Sequence, residues 1–331
     1  MSTTSFHEPV LLAEVLRFLG DTRRVFDCTL GGGGHTAALL ERGATVVGVD
    51  RDPVARASAE TRLRAHIEHG TLKVVAATFG DAAASVLDNE VHFDGALIDL
   101  GVSSHQFDDE TRGFSFREGV ALDMRMGGGA IDGNGGMTAA EWLNETPEAE
   151  LEAAFIRYAD ERRGRRLAKT IVSRRQSKPF ATSDDLVGAI RAVLGPRSGA
   201  PDFARLFQAV RIAVNDEFGE LERALPAIRD RLAPAGVLVV ISYHSGEDRI
   251  VKRAFQDWSR ACVCPPRQPM CTCGGVAKGE TLTKKPIEAG DEEVARNPRA
   301  RSAKMRVWRK TGPVPSAQYP RAQGSRLTAR G

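Results

Sequence analysis

The sequence predicts an α/β fold, a mostly parallel, doubly wound sheet that carries an inserted helical domain. Three observations predict it. The apolar pair Val25-Phe26 runs into a glycine turn, Asp27-Cys-Thr-Leu-Gly-Gly-Gly-Gly-His35, and then into a helix-like run, Thr36-Ala-Ala-Leu-Leu-Glu41. A second apolar strand, Thr45-Val-Val-Gly-Val-Asp50, ends in an acid 16 residues beyond Gly34. Strand–helix alternation stops between about Thr111 and Ala204, where only helical periodicity is found, and then resumes. Strand, glycine turn, helix, strand and acid together make half of a nucleotide-binding domain.

Each element has its own justification. The run Pro9 to Leu19 is amphipathic at helical spacing. Strands are expected near Val25 to Leu30, Thr45 to Val49 and Leu72 to Ala76, with a helix from Pro53 to His66 that opens on a proline suited to a first turn. The fourth strand, Gly95-Ala-Leu-Ile-Asp-Leu100, is nearly all apolar, as an internal parallel strand should be, so Asp99 in it needs a functional reason. Helical patches follow at Thr138 to Asn144, Glu148 to Gln176 and Ser183 to Leu194. One long helix is expected from Leu206 to Leu232, then a strand within Pro234 to Ser242, a helix from Glu247 to Trp258 and a late strand from Ala303 to Trp308. The boundaries that result are 1–110 and 205–310 for two parts of one core, 111–204 for the insert, and 311–331 for a tail expected to be disordered.

Charge and cysteines narrow the partners. The net charge of +3 is carried by the last 21 residues, which hold Arg321, Arg326 and Arg330 and no acid. Arg162 to Lys178 holds eight bases without an acid, and Arg296 to Lys310 holds seven. Two such patches on a neutral body fit contacts with a nucleic-acid backbone, or else a solvated helix face and a basic sheet edge. No apolar run reaches the length of about 18 residues that a membrane span needs, and Met1 to Glu8 lacks the features of a signal peptide, so a cytoplasmic protein is expected. Cys262, Cys264, Cys271 and Cys273 cluster among prolines and glycines and can surround a structural zinc ion, although one-residue gaps are tighter than usual; a reduced thiol cluster without metal is the alternative.

Two ligands compete for the glycine turn. Gly32-x-Gly34-x-x-Ala37 satisfies the dinucleotide fingerprint, which puts a pyrophosphate at a helix N-terminus. Asp27-x-Thr-x-Gly31-x-Gly33 instead resembles the turn of S-adenosylmethionine-dependent methyltransferases, which holds a zwitterionic methionine end. The glycines alone leave both open, a nicotinamide oxidoreductase and a methyltransferase. A non-enzymatic RNA-binding scaffold is a third class.

Motifs along the chain are more specific. His7-Glu-Pro-Val-Leu-Leu, Asp27 to His35, Gly48-Val-Asp-Arg-Asp-Pro53, Leu97-Ile-Asp-Leu-Gly-Val-Ser-Ser104, Arg112-Gly-Phe-Ser-Phe116, Leu122-Asp-Met-Arg-Met126, Phe207-Gln-Ala-Val-Arg-Ile212, His244-Ser245 and Glu292 to Ser302 follow one another in order. In these the chain closely resembles the RsmH (MraW) family of bacterial small-subunit ribosomal RNA cytosine-N4 methyltransferases. The resemblance implies a class I S-adenosylmethionine-dependent methyltransferase fold, Rossmann-like, with an inserted helical domain. It implies methylation of the exocyclic N4 amine of a cytidine in the decoding region of 16S ribosomal RNA. By position it puts cofactor contacts on Gly33, Gly34, His35, Asp50, Phe79, Asp99 and Gln106.

The residues fit those roles. The glycines and His35 would flank the methionine end, Asp50 would take ribose hydroxyls, Phe79 would stack on adenine, and Gln106 would close the pocket. Asp99 is expected to orient cofactor and accept the N4 proton, with His244 the rival base. Arg299, Arg301 and Lys304 are the candidate phosphate contacts, with the run Arg162 to Lys178, and Phe114 and Phe116 would either stack on bases or pack the insert. Two departures from the family pattern stand out. Tyr243-His-Ser-Gly-Glu-Asp248 replaces the usual Phe-His-Ser-Leu-Glu-Asp, so that Gly246 should loosen the turn, and His105 replaces a proline.

Overall fold

The computed structural model describes residues 9–86, 92–101, 109–127, 136–262, 264, 268, 272 and 275–311. The tail beyond Thr311, Gln106, His105, Cys271 and Cys273 lie outside the described residues. Eight strands form one sheet: β1 (Arg24–Asp27), β2 (Thr45–Asp50), β3 (Leu72–Ala76), β4 (Phe93–Asp99), β5 (Leu232–Ser242), β6 (Gly279–Thr281), β7 (Ile287–Glu288) and β8 (Lys304–Lys310). Their order is β3-β2-β1-β4-β5-β8-β6, with β7 also paired to β8. The first five are mutually parallel, and β8 runs antiparallel to β5, β6 and β7. The order reverses between β1 and β4, and it is outside such strand ends that open α/β sheets hold ligands. This is the class I methyltransferase arrangement that the sequence predicts.

Strict alternation divides the strands between two cores. Phe26, Ile98, Leu238, Val240 and Trp308 face one way, packed with Leu221, Leu225 and Ile228 from one helix and Val251 and Phe255 from another. Val25, Leu97, Val239, Ile241 and Val307 face the other, against Val15, Leu19, Leu39 and Leu40. Burial on both faces is why the strands read as continuous apolar runs. Trp308 is fully buried, in a cluster with Phe255 and Trp258, and its Nε1–H donates to Ser259 Oγ at 3.2 Å.

A third core is built mainly from helices. Leu143, Leu151, Phe155, Leu167, Ile171, Leu186, Ile190, Leu206 and Val210 pack together, away from the sheet. The helix Ala139–Glu145 begins on a capping box. The Thr138 side chain accepts from the Glu141 N–H at 3.1 Å while Glu141 accepts from the Thr138 N–H at 2.8 Å. Phe114 and Phe116 belong to this core, and Phe116 meets Phe203 and Phe207 edge-on, so packing rather than base stacking accounts for both.

Three expected helices are each two. The run Glu148 to Gln176 breaks at Asp160, which adopts a left-handed φ of 47°, and Pro53 to His66 breaks at Leu63. The run from Leu206 to Leu232 is a helix Ala200–Asn215 and a second, Glu217–Arg231, separated by Asp216 at φ 47°. The apolar period continues across that break, which is why the sequence hides it. The first helix packs in the helical core and the second against the sheet. We therefore propose Asp216, rather than Ala204, as the point where the chain leaves the insert. Replacement of Asp216 by Val should cost about 1–2 kcal/mol, the strain of a β-branched residue in a left-handed conformation, whereas Asp216→Gly should be nearly neutral. Chemical unfolding of both variants measures the difference.

Candidate active site

The site grows from the end of β1. After Asp27 the backbone turns away into the glycines, and Cys28 makes the last ladder bond, its N–H donating to the Leu97 carbonyl at 2.8 Å. The next amide of β4, Asp99 N–H, donates instead to the side-chain hydroxyl of Thr29 at 2.7 Å. Thr29 thus replaces a strand carbonyl where no strand remains. Asp27, 1% exposed, accepts from Thr36 Oγ1 at 2.6 Å and from the Thr29 amide at 3.2 Å. Burial raises its pKa, and the Thr36 bond is the largest opposing effect.

The glycines are there for space and conformation. Gly33 has φ 76° at the start of the helix Gly34–Glu41, and a Cβ on it would lie 2.8 Å from Leu63 Cδ1. On Gly34 a Cβ would lie 2.6 Å from Pro9 Cγ. Asp50, at the end of β2, braces the turn. One of its carboxylate oxygens accepts from the Gly31 amide and the other from the Asp52 amide, each at 2.8 Å. Burial raises the Asp50 pKa, partly offset by those two amides.

A cavity of about 170 Å³ opens at these strand ends, lined by the turn, Asp50, Phe79, Asp99, Tyr243 and residues of the helix Glu217–Arg231. Among the described residues five carboxylates line it, Asp50, Asp99, Glu217, Glu220 and Glu247, against one lining cation, Arg51. Phe79 starts a short helical turn whose cap, Thr78 Oγ1, accepts from the Asp81 amide at 3.1 Å. Glu220 Oε1 accepts from the Gly80 amide at 2.8 Å, and Glu217 is gripped by both arms of Arg211 at 2.8 and 2.9 Å. Arg112 braces Met126, a lining residue, donating to its carbonyl at 2.6 Å and to Asp52 Oδ2 at 3.0 Å.

Asp99 is held at one oxygen and faced by a histidine ring at the other. Tyr243 O–H donates to Oδ1 at 2.8 Å, and His35 Nδ1 lies 3.8 Å from Oδ2. His35 Nε2 is 2.9 Å from the Val10 carbonyl, which can only accept, so that nitrogen carries a proton and Nδ1 faces Asp99. Burial pushes the Asp99 pKa up to about 6, against the lowering effects of His35 and Tyr243. His244 is engaged elsewhere. It caps the helix Ser245–Trp258, its Nδ1 accepting from the Glu247 amide at 3.4 Å, while Nε2 sits 3.0 Å from Glu247 Oε1. Its ring stacks on Phe218, and it is not among the residues lining the cavity.

Gly246 does not loosen this turn. A Cβ there would lie 2.4 Å from Phe218 Cζ, so the phenyl ring fills the place that a larger residue would need. Of the basic residues near the C-terminus, Arg306 braces the turn through Asp248, at 2.6 and 3.0 Å. Arg299, Arg301 and Lys304 lie at the start of β8, where Lys304 pairs with Ser242, the residue before Tyr243. Arg301 is exposed, and Arg299 and Lys304 are half-buried. Of the residues expected at the site, Asp50, Phe79 and Asp99 line the cavity, Gly33, Gly34 and His35 lie at the start of the adjoining helix without lining it, and Gln106 is outside the described residues. The sequence reading missed Tyr243, Glu217, Glu220 and Glu247 as lining residues.

A family model described as the MraW methylase family matches residues 4–311. The chain belongs to that family. A ribosomal RNA small subunit methyltransferase H of Gemmatimonas aurantiaca is 59% identical over 307 residues, which covers 93% of this chain and 96% of that protein. Its namesake from Heliobacterium mobile is 45% identical over 314 residues, covering 92% and 98%. A third, from Geobacter sulfurreducens, is 43% identical over 317 residues, covering 93% and 99%. Membership extends across both parts of the sheet and the helical unit between them.

The bond from Asp99 to Thr29 gives a direct test of how the family's site is built. Thr29→Val keeps the shape but leaves the Asp99 amide without its acceptor, and should cost about 1–3 kcal/mol. Thr29→Ser should restore most of it. Melting curves of the two variants, side by side, measure the contribution.

Proposed function

We propose that this protein transfers the methyl group of S-adenosylmethionine to the N4 amine of a cytidine in the decoding region of 16S ribosomal RNA. The observation that carries the cofactor reading is the charge of the cavity, five carboxylates to one arginine, at the point where strand order reverses. A pyrophosphate would be repelled there, which argues against the dinucleotide alternative, while a ligand with sulfonium and ammonium charges is drawn in. The RNA reading is supported by relatives named as small-subunit ribosomal RNA methyltransferases that align along almost the whole chain.

S-adenosylmethionine, when bound, supplies an electrophilic methyl group on sulfur. Gly33, Gly34 and His35 would hold its methionine end, Asp50 and Phe79 its adenosine. The residues of the chain then have to manage the cytosine. Its N4 lone pair is conjugated with the ring, so the nitrogen needs an acceptor for the proton it sheds as the N–C bond forms. Asp99 is the carboxylate best placed, lining the cavity at the end of β4. His244 is better read as a loop-forming residue, given its bonds to Glu247 and its stacking on Phe218.

The test is transfer of labelled methyl to small-subunit particles that lack the modification, followed by mass analysis of the nucleoside. A product methylated on a base carbon or ribose oxygen would falsify the N4 reading. Asp99→Asn should lower turnover about 10²-fold or more, with a much smaller effect on cofactor affinity measured by calorimetry. Asp99 must be ionised to accept a proton, so turnover should rise with pH through a midpoint of about 6 and fall away below it.

The basic cluster beside the cavity is read as a phosphate contact. Replacing Arg299, Arg301 and Lys304 together by Gln should weaken RNA binding and lower the log–log salt slope by about two to three, with cofactor affinity kept. Loss of thermal stability with no change of slope would assign the cluster to the fold instead. Two of the four clustered cysteines, Cys262 and Cys264, fall within the described residues, where no group of three or more metal-ligating side chains assembles. Structural zinc on the full set of four is a reading of their sequence spacing, open to metal analysis of the purified protein.

A further inference from the structure

Tyr243 follows directly after β5, and its hydroxyl donates to Asp99 Oδ1 at 2.8 Å. Its backbone is fixed by the amide, which donates to Glu247 Oε2 at 2.8 Å, and its ring lies so close to Gly101 that a Cβ there would be 3.4 Å from Cδ2. Burial and the neighbouring Asp99 push the phenol pKa well up, so the group is a neutral donor across the working range.

We propose that Tyr243 is a positioning residue for Asp99, its hydroxyl holding the carboxylate ionised and turned so that His35 faces the opposite oxygen. The inference rests on Asp99 as the proton acceptor. An O–H donor stabilises the carboxylate over the neutral acid, and Asp99 needs such help because burial penalises its charge, with acidic neighbours adding to it. Asp27 faces it from β1 and Glu247 from the helix Ser245–Trp258, and the ring of His35, on the helix Gly34–Glu41, lies 3.8 Å from its other oxygen. Around the same cavity stand Glu217 and Glu220 on the next helix and Asp50 with Arg51 at the end of β2. The arrangement keeps a buried base usable near neutral pH without placing a second cation where the cofactor must bind.

Tyr243→Phe deletes only the hydroxyl. Two measurements on the full-length protein test it: the pH dependence of turnover, and the titration of the Asp99 carboxyl by carbon-13 NMR, assigned with Asp99→Asn. The acid limb of turnover and the carboxyl midpoint should move up together by about 0.5–1 pH unit. Turnover at pH 6 should then fall several-fold more than at pH 8. A carboxyl midpoint that does not move overturns the proposal, whatever happens to activity. So does an equal loss of turnover at every pH with a lowered melting temperature, which would mark a packing role. Should the wild-type protein methylate no RNA while the midpoint still moves, the Tyr243 assignment stands and the substrate reading falls.

Discussion

Where β1 ends, β4 still has an amide to satisfy, and the whole site follows from how that is done. Parallel strands that simply separated would leave a buried N–H without an acceptor, at a cost of about 1–3 kcal/mol. Thr29 supplies the acceptor from its side chain, so its backbone is released to turn into the glycines. Asp27 fixes Thr29 through its amide and reaches forward to Thr36, and Asp50 pins Gly31 from the neighbouring strand. Three side chains therefore shape a turn that the glycines merely permit. The cavity is the gap this leaves between diverging strands.

The same gap gathers negative charge. Buried carboxylates are costly, and each here has a local compensation: paired amides for Asp50, Arg211 for Glu217, an amide for Glu220, and a hydroxyl with a histidine for Asp99. Glu247 shows the balance clearly. Burial pushes its pKa up, but His244, the Tyr243 amide and Arg211 more than offset that and leave it below the ordinary value. Even with this compensation, the carboxylates lining the cavity outnumber its one lining cation among the described residues. A cationic ligand meets a field already in place.

Much of this was legible because it is local. The glycine turn, the acid at the end of β2 and the apolar strands are each written in fewer than ten consecutive residues, and the structure has them where the periodicity puts them. What was hidden depends on distance or on single dihedrals. Asp216 interrupts a helix without interrupting its apolar period, so two helices in two different cores read as one. Gly246 looked like a loosened turn until Phe218, 28 positions earlier, was found in the space. Short strands such as β6 and β7 exist only because β8 offers them an edge, and nothing in their own sequence announces it.

That edge has a consequence for how the protein is made. β8 is the latest described strand, yet it lies inside the sheet, between β5 and the pair β6 and β7, and it contributes Trp308 to the core. Until residue 310 has left the ribosome, β5 must stand with one flank bare, although the strands before it can already pair. An exposed, strongly apolar edge, Val237 to Ser242, is a sticky surface for other nascent chains. The turn after β5, with Tyr243 and Glu247, is backed by Arg306 of that same late strand. A chain that stops before β8 therefore lacks both the strand that flanks β5 and the arginine that backs the turn after it.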